Sequence, residues 1–295
     1  MQKLSQEALL EAGVHFGHLK RKWNPKMLPY IFTEKKGIHI IDLNRTQEKL
    51  EEAASALRFM AKSGKKILFV ATKKQAKEIV KEAAKRVNMP FVTERWLGGM
   101  LTNFSTIRKS IKKMQTIERM LADGTLESTT KKEKLVLTRE KDKMEKVLGG
   151  ISALNRVPNA IFLVDISHED IALKEAQRLN INTFGIVDTN SDPTKVDFAI
   201  PANDDAAQSI AIITNFIVDA IAEGLAERAL NKDEENDVEV DDEKNHFDEI
   251  KEEESGEDGK GRRRRSGGSG HGGGAGTGGA GKSRSRSGGG AGPRK

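Results

Sequence analysis

Short apolar runs alternate with amphipathic helical stretches along most of this chain, and that alternation constrains its fold more than any other feature. Lys66-Ile67-Leu68-Phe69-Val70-Ala71 is a compact β-rich run bounded upstream by Gly64. From Lys74 to Asn88, apolar Ala76, Ile79, Val80, Ala83, Ala84 and Val87 recur at helical spacing. Met89 to Thr93 starts a second strand, and Ala160 to Val164 reads as a buried one. His168 to Leu179 is helical, Thr183 to Val187 and Asp197 to Ile200 are strands, and a long helix runs from Asp205 to about Ala229. Strand and helix in turn, at this spacing, predict an α/β fold: a mostly parallel sheet with helices on both faces.

Residues 104–148 break the rhythm. Ile107, Ile111, Met114, Ile117 and Leu121 line one helix, and Leu137, Met144 and Leu148 can line another. Asp123-Gly124 lies between them as a turn signal. The pattern predicts an antiparallel, coiled-coil-like helical hairpin inserted into the α/β body; two ordinary surface helices are the plainer alternative. The body therefore comprises 1–103 and 149–230, with the hairpin at 104–148.

Beyond the body, the chain divides by charge. Residues 231–258 carry 15 acidic and 3 basic side chains, and residues 259–295 carry 10 basic and no acidic ones, leaving the first 230 residues with a net charge of +8. Glycine is as uneven, with 17 of the 28 after position 254. An acidic linker and a basic Gly/Arg/Ser-rich tail of this kind bury too little apolar surface to fold alone. The tail reads either as an RNA-touching arm or as a solubilising linker.

Several chemistries are absent. The chain has no cysteine, which removes disulfides, thiol catalysis and Cys-based zinc sites. Met1 to Leu10 lacks the apolar core of a signal peptide, and the apolar stretch Ala206 to Ala222 is interrupted by Gln208, Asn215 and Asp219. The expectation is a soluble intracellular protein with no membrane partner. A nucleotide-binding α/β enzyme is the competing class, but Thr72-Lys73-Lys74-Gln75-Ala76 follows the first clear strand without a glycine, and no Walker loop or Gly-x-Ser-x-Gly elbow occurs.

Four stretches carry candidate chemistry. Lys20, Arg21, Lys22, Trp23 and Lys26 join cations to an aromatic ring that could stack on a base, or could equally be a core-edge tryptophan. His15 and His18, three apart, could ligate a metal or serve a structural or RNA-contacting role. Arg95-Trp96-Leu97-Gly98-Gly99-Met100-Leu101-Thr102-Asn103-Phe104 is a tight connector flanked by Arg95 and Asn103. Asp188, Asp204 and Asp205 could hold a hard divalent cation such as magnesium, or serve as turn and helix-cap residues, with Asp204 capping the next helix.

Leu10-Glu11-Ala12-Gly13-Val14-His15-Phe16-Gly17-His18, Trp23-Asn24-Pro25-Lys26-Met27 and Gly37-Ile38-His39-Ile40-Ile41-Asp42-Leu43 resemble the opening of the bacterial small-subunit ribosomal protein S-two family. So do Thr72 to Ala76, Arg95 to Thr106, Leu148-Gly149-Gly150-Ile151, Ile186 to Pro193, and Ile200-Pro201 with Asn203-Asp204-Asp205. The matches run in order over nearly all of 5–228. Ala71 stands where the family often has glycine, and the tail extends beyond the family's common length. The resemblance implies a flavodoxin-like three-layer fold with a protruding helical hairpin. It implies a cytoplasmic, non-enzymatic constituent of the small ribosomal subunit that needs no cofactor. It further implies binding to small-subunit ribosomal RNA near the junction of head and body, contact with neighbouring ribosomal proteins, help in docking the S-one protein, and no self-assembly. Three basic patches are the expected RNA contacts: Lys20, Arg21, Lys22, Trp23 and Lys26; Lys73, Lys74 and Arg95 with Asn103; and Arg108, Lys109, Lys112 and Lys113.

Overall fold

The computed structural model describes residues 4–123 and 130–256, of which 232–256 are described as backbone only. The chain divides into a unit of residues 1–239 and a second of 240–295.

Five strands form the central sheet: β4 (Ile67–Val70), β5 (Phe91–Val92), β6 (Ala160–Val164), β7 (Asn182–Val187) and β8 (Phe198–Pro201). All neighbours are parallel, in the order β5-β4-β6-β7-β8. This is the flavodoxin-like order, in which the chain reverses direction across the sheet next to its first strand. The register aligns one aromatic row across all five strands, pairing Phe91 with Phe69, Phe69 with Phe162, Phe162 with Phe184 and Phe184 with Phe198. Phe184 and Phe198 stack with centroids 4.5 Å apart, and Phe69 meets Phe162 at 5.5 Å. A row of rings at one register position pins the strands against slippage, because a one-residue shift would turn each ring to the opposite face.

Helices cover both faces. The phenylalanine face packs against α1 (Gln6–Glu11), α2 (Leu43–Lys62), α3 (Lys77–Arg86) and the first turns of α7 (Ala207–Gly256), through Leu9, Leu50, Leu57, Val80, Ile213 and Ile217. The other face packs against α6 (Asp170–Arg178) and the roots of α4 (Phe104–Ala122) and α5 (Lys131–Leu148), through Leu173, Ile107, Ile111 and Leu148. Ala207–Asn231 is apolar and long enough to cross a membrane, but Ile210, Ile213, Ile217, Val218 and Ile221 of this segment lie in the protein core.

Helices α4 and α5 contact one another, and Thr130 opens α5 with a reciprocal cap to Glu133. Of the expected turn, Gly124 falls in 124–129, outside the described residues, as does the basic tail 259–295. The backbone of α7 remains helical to Gly256, although composition gives 231–258 no structure of its own. Glu and Lys favour helix without an apolar face to bury.

The N-terminal region adds an antiparallel sheet that the apolar pattern does not announce. Its strands are β1 (Phe16–Leu19), β2 (Ile31–Lys35) and β3 (Ile38–Ile41), in the order β1-β3-β2. Lys36 and Gly37, with φ of 54° and 75°, make the two-residue hairpin turn between β2 and β3, where both central residues must be left-handed.

Candidate functional site

The carboxyl ends of the parallel strands bring charge together. Lys73 follows β4, Asp165 is the first residue after β6, Asp188 the first after β7, and Asn203, Asp204 and Asp205 follow β8. The Lys73 ammonium lies 2.7 Å from Asp165 Oδ2, 2.8 Å from Asp204 Oδ1 and 2.9 Å from Asp205 Oδ1. Burial works against its charge, but the three carboxylates outweigh that and raise its pKa above the ordinary lysine value. Burial also pushes the Asp204 carboxyl up to about 7, with repulsion from Asp165 and Asp188 adding to the shift and Lys73 opposing it.

Two side chains shape the loops that carry this cluster. Asp165 takes a left-handed φ of 67°, and its Oδ1 accepts hydrogen bonds from the Ser167 and His168 amides, a local turn that aspartate tolerates. Glu169 is buried, and its Oε1 accepts from the Thr72 amide at 2.7 Å and the Thr72 hydroxyl at 2.6 Å, fixing the turn before Lys73.

The N-terminal segment is stitched across this end of the sheet. Asn203 donates from its backbone to Val14 O and from its side chain to Gly13 O. The His18 amide donates to Thr189 Oγ1 at 2.8 Å, and the Asn24 amide to Thr189 O at 2.8 Å. Gly17 permits this approach: a Cβ there would stand 2.6 Å from Thr189 Cγ2. His18 is thereby delivered to the cluster, with Nδ1 3.0 Å from Asp188 Oδ2 and Nε2 3.4 Å from Asp205 Oδ2. Its pKa is raised, first by the bond to Asp188. His15 does not join it; its ring lies against Phe16, 4.0 Å away.

The atoms that converge as a potential cation site are therefore from His18, Asp188 and Asp204, all within 4.8 Å of one another. Asp205, counted with the aspartates in the sequence, instead pairs with Lys73 and His18. Asp204 does not cap α7. Asn203 Oδ1 accepts from the Asp205 and Ala206 amides there, because the Asp204 side chain points down into the cluster.

The Arg95–Asn103 connector is organised by Glu175, a residue sequence reasoning passed over. Its carboxylate accepts from Trp96 Nε1 at 3.1 Å, and from the Gly99, Leu101 and Thr102 amides at 2.7, 2.9 and 3.1 Å. Burial alone would raise the pKa of this carboxyl; the four donors and the Thr102 hydroxyl outweigh it and hold the group below its ordinary value. The signal was present: Glu175 sits on the stripe of α6 that also buries Ala172, Leu173 and Ala176. Arg95, Thr102 and Asn103 stand exposed on the connector.

The remaining basic candidates separate into two groups. Lys20 pairs with Glu34 at 2.6 Å, Lys26 with Asp192 at 2.7 Å and Lys113 with Glu140, while Arg108 donates to Asn155 O at 2.7 Å. Arg21, Lys22, Lys74, Arg95, Lys109 and Lys112 are exposed and have no ion-pair partner among the described residues. The ring of Trp23 is half-buried and lies 5.1 Å from that of His39.

These features define an α/β scaffold of flavodoxin-like topology, with a buried charge cluster below a rim of exposed cations and no glycine-rich phosphate loop after β4. The family model for Ribosomal protein S2 matches residues 9–224. The small ribosomal subunit protein uS2 of Cytophaga hutchinsonii is 61% identical over 233 residues, covering 79% of this chain and 92% of that relative. The uS2 proteins of Bacteroides fragilis and Porphyromonas gingivalis are 59% and 58% identical over 232 residues, each covering 79% of this chain and 84% and 83% of the relative. The chain belongs to the Ribosomal protein S2 family, a family of structural proteins and not of enzymes.

Proposed function

We propose that this chain binds small-subunit ribosomal RNA through the cations at the carboxyl end of its parallel sheet and on α4. As a member of its family it is a structural constituent of the small ribosomal subunit in translation, placed in the cytoplasm on the ribosome. The observation that carries the RNA reading is the set of exposed cations with no ion-pair partner among the described residues. Arg21 and Lys22 stand on the short 3-10 helix Lys20–Lys22, Lys74 and Arg95 on the connections after β4 and β5, and Lys109 and Lys112 on α4. Cations free of internal carboxylates can neutralise phosphates and release counterions, which supplies affinity without base readout. The family resemblance adds the finer placement: RNA at the junction of head and body, and a part in docking the S-one protein.

The test is incorporation of a quadruple alanine variant of Arg21, Lys22, Lys74 and Arg95 into small subunits over a range of salt. The expected result is weaker incorporation and a salt dependence flattened by roughly one unit per phosphate contact removed. Incorporation and salt slope equal to the unsubstituted chain would overturn the RNA surface. Loss of S-one protein from subunits depleted of this chain supports the docking role, and undiminished S-one occupancy removes it.

A further inference from the structure

We propose that the crevice between the connections after β4, β5 and β6 takes one unstacked guanine of the ribosomal RNA. The inference deepens the RNA reading above and rests on it.

The crevice lies where the sheet changes direction. β4 and β6 are neighbours, and the chain leaves β4 for β5 on one side and β6 for β7 on the other. In open parallel sheets the connections diverge at this switch point and leave room for a ligand outside the carboxyl ends of the strands. Here the room is a cavity of about 320 Å³, lined by Thr72 after β4, Arg95 and Trp96 after β5, and His168, Glu169 and Ile171 after β6. That volume is at the small end of the range for ligand sites and suits a single base. No residue of the Lys73–aspartate cluster lines it.

The floor of the cavity can only accept hydrogen bonds. Glu169 is 3% exposed, and both bonds from Thr72 fall on its Oε1, at 2.7 Å from the amide and 2.6 Å from the hydroxyl. Its Oε2 accepts no hydrogen bond among the described residues. A desolvated carboxylate oxygen left without a donor is costly, and a ligand N–H removes that cost. The Thr72 hydroxyl has committed its one proton to Oε1, so toward a ligand it too can only accept. Burial raises the Glu169 pKa against the pull of the Thr72 bonds, and a ligand donor on Oε2 would favour the carboxylate in the same way as those bonds.

An acceptor-only floor selects the base. Guanine presents two adjacent donors, N1–H and N2–H, on its Watson–Crick edge. Adenine and cytosine set a ring-nitrogen acceptor beside their one amino donor, and uracil flanks its single N3–H with two carbonyls. Each of those three bases would bring an acceptor against Glu169 or Thr72. The walls supply the stacking. Ile171 is 58% exposed, and with the His168 ring and the Arg95 guanidinium it gives apolar and planar surface of the kind that holds a splayed-out base. Arg95 has no ion-pair partner among the described residues, and Glu94 beside it is paired with Lys77 at 3.0 Å. The guanidinium is therefore free for guanine O6 or the attached phosphate.

The experiment is footprinting of small subunits with kethoxal, which adds to N1 and N2 of unpaired guanines. Subunits lacking this chain are compared with those carrying it unsubstituted, as Glu169→Gln and as Ile171→Ser, and protein–RNA crosslinks at Lys74 and Arg95 are mapped in the same samples. Glu169→Gln keeps an oxygen for Thr72 but turns the free acceptor into a donor. Ile171→Ser removes a wall without touching the Thr72 turn. One guanine should react at least about tenfold more slowly when the unsubstituted chain is present. It should regain its reactivity in both variants while the crosslinks persist. Crosslinks at Lys74 and Arg95 with no protected guanine, or with one that stays protected in both variants, would overturn the guanine site and leave the RNA surface standing. Absence of those crosslinks from subunits carrying the unsubstituted chain would remove the RNA reading and the guanine site together.

Discussion

Two groups of charges lie at the same end of the sheet and behave in opposite ways. Lys73 sits inside, bonded to Asp165, Asp204 and Asp205, with its side chain 15% exposed. Its neighbour Lys74 is exposed and has no ion-pair partner among the described residues. Adjacent lysines in one sequence thus serve different ends: one compensates buried carboxylates, and the other is free to meet a polyanion. Charge count alone cannot separate these roles; what separates them is whether an internal carboxylate already occupies the ammonium.

The comparison breaks most sharply at its buried member. Replacing Lys73 with Met keeps the stem and removes the charge, leaving Asp165 and Asp204 buried without their cation. A loss of about 3–5 kcal/mol is expected for removing one partner of a buried pair, measured by urea denaturation. Lys74→Met should change stability by less than about 0.5 kcal/mol, as exposed substitutions usually do. Equal effects of the two would erase the distinction.

Glu175→Gln comes next. The amide presents one acceptor where the carboxylate serves five donors around the Trp96–Thr102 connector, and its NH2 faces donors instead of acceptors. A cost of about 2–4 kcal/mol is expected, with earlier exchange of the Gly99, Leu101 and Thr102 amides. The pH dependence follows from the depressed carboxyl pKa: the stabilisation is fully present above the ordinary glutamate value and is lost as pH falls through the lower folded-state value. The unsubstituted chain should therefore show an acid-side loss of stability over that window which Glu175→Gln lacks.

How much of this was legible in the sequence depends on where the information resides. The parallel strands announced themselves because β6 is wholly apolar and β7 ends in the run Phe184 to Val187, and the helical stripes of α3 and α6 stood out beside them. The antiparallel sheet did not, because strands of four and five residues with partly exposed faces carry too little periodicity. Helix α2 was also passed over, although Leu50, Ala53, Ala54, Leu57 and Ala61 mark its buried stripe. For the site, Asp188 and Asp204 were legible as acidic residues after strands. The part played by His18 was not, because it reaches the cluster through contacts of its backbone with Thr189, which is 171 residues away in sequence. Lys73 was misleading for the same reason: its three carboxylate partners lie at least 92 positions downstream.

Smaller effects sharpen the picture among the surface cations. Lys109→Ala should weaken RNA binding and flatten the salt slope by roughly one unit while leaving stability nearly unchanged. Lys113 is already paired with Glu140, so Lys113→Ala should have the smaller effect on RNA binding and cost about 0.2–1 kcal/mol of stability at low salt, diminishing as salt is added. A filter-binding salt series with both variants gives the ranking; a larger RNA effect at Lys113 would mean that internal pairing does not decide which cations meet phosphate.

The most direct measurement is crosslinking of protein to RNA in small subunits that carry this chain, with the crosslinked residues located by mass spectrometry. The account predicts crosslinks at or beside Arg21, Lys22, Lys74 and Arg95, with Lys73 silent. Crosslinks confined to other faces, or a chain that fails to sediment with the small subunit at all, would contradict it.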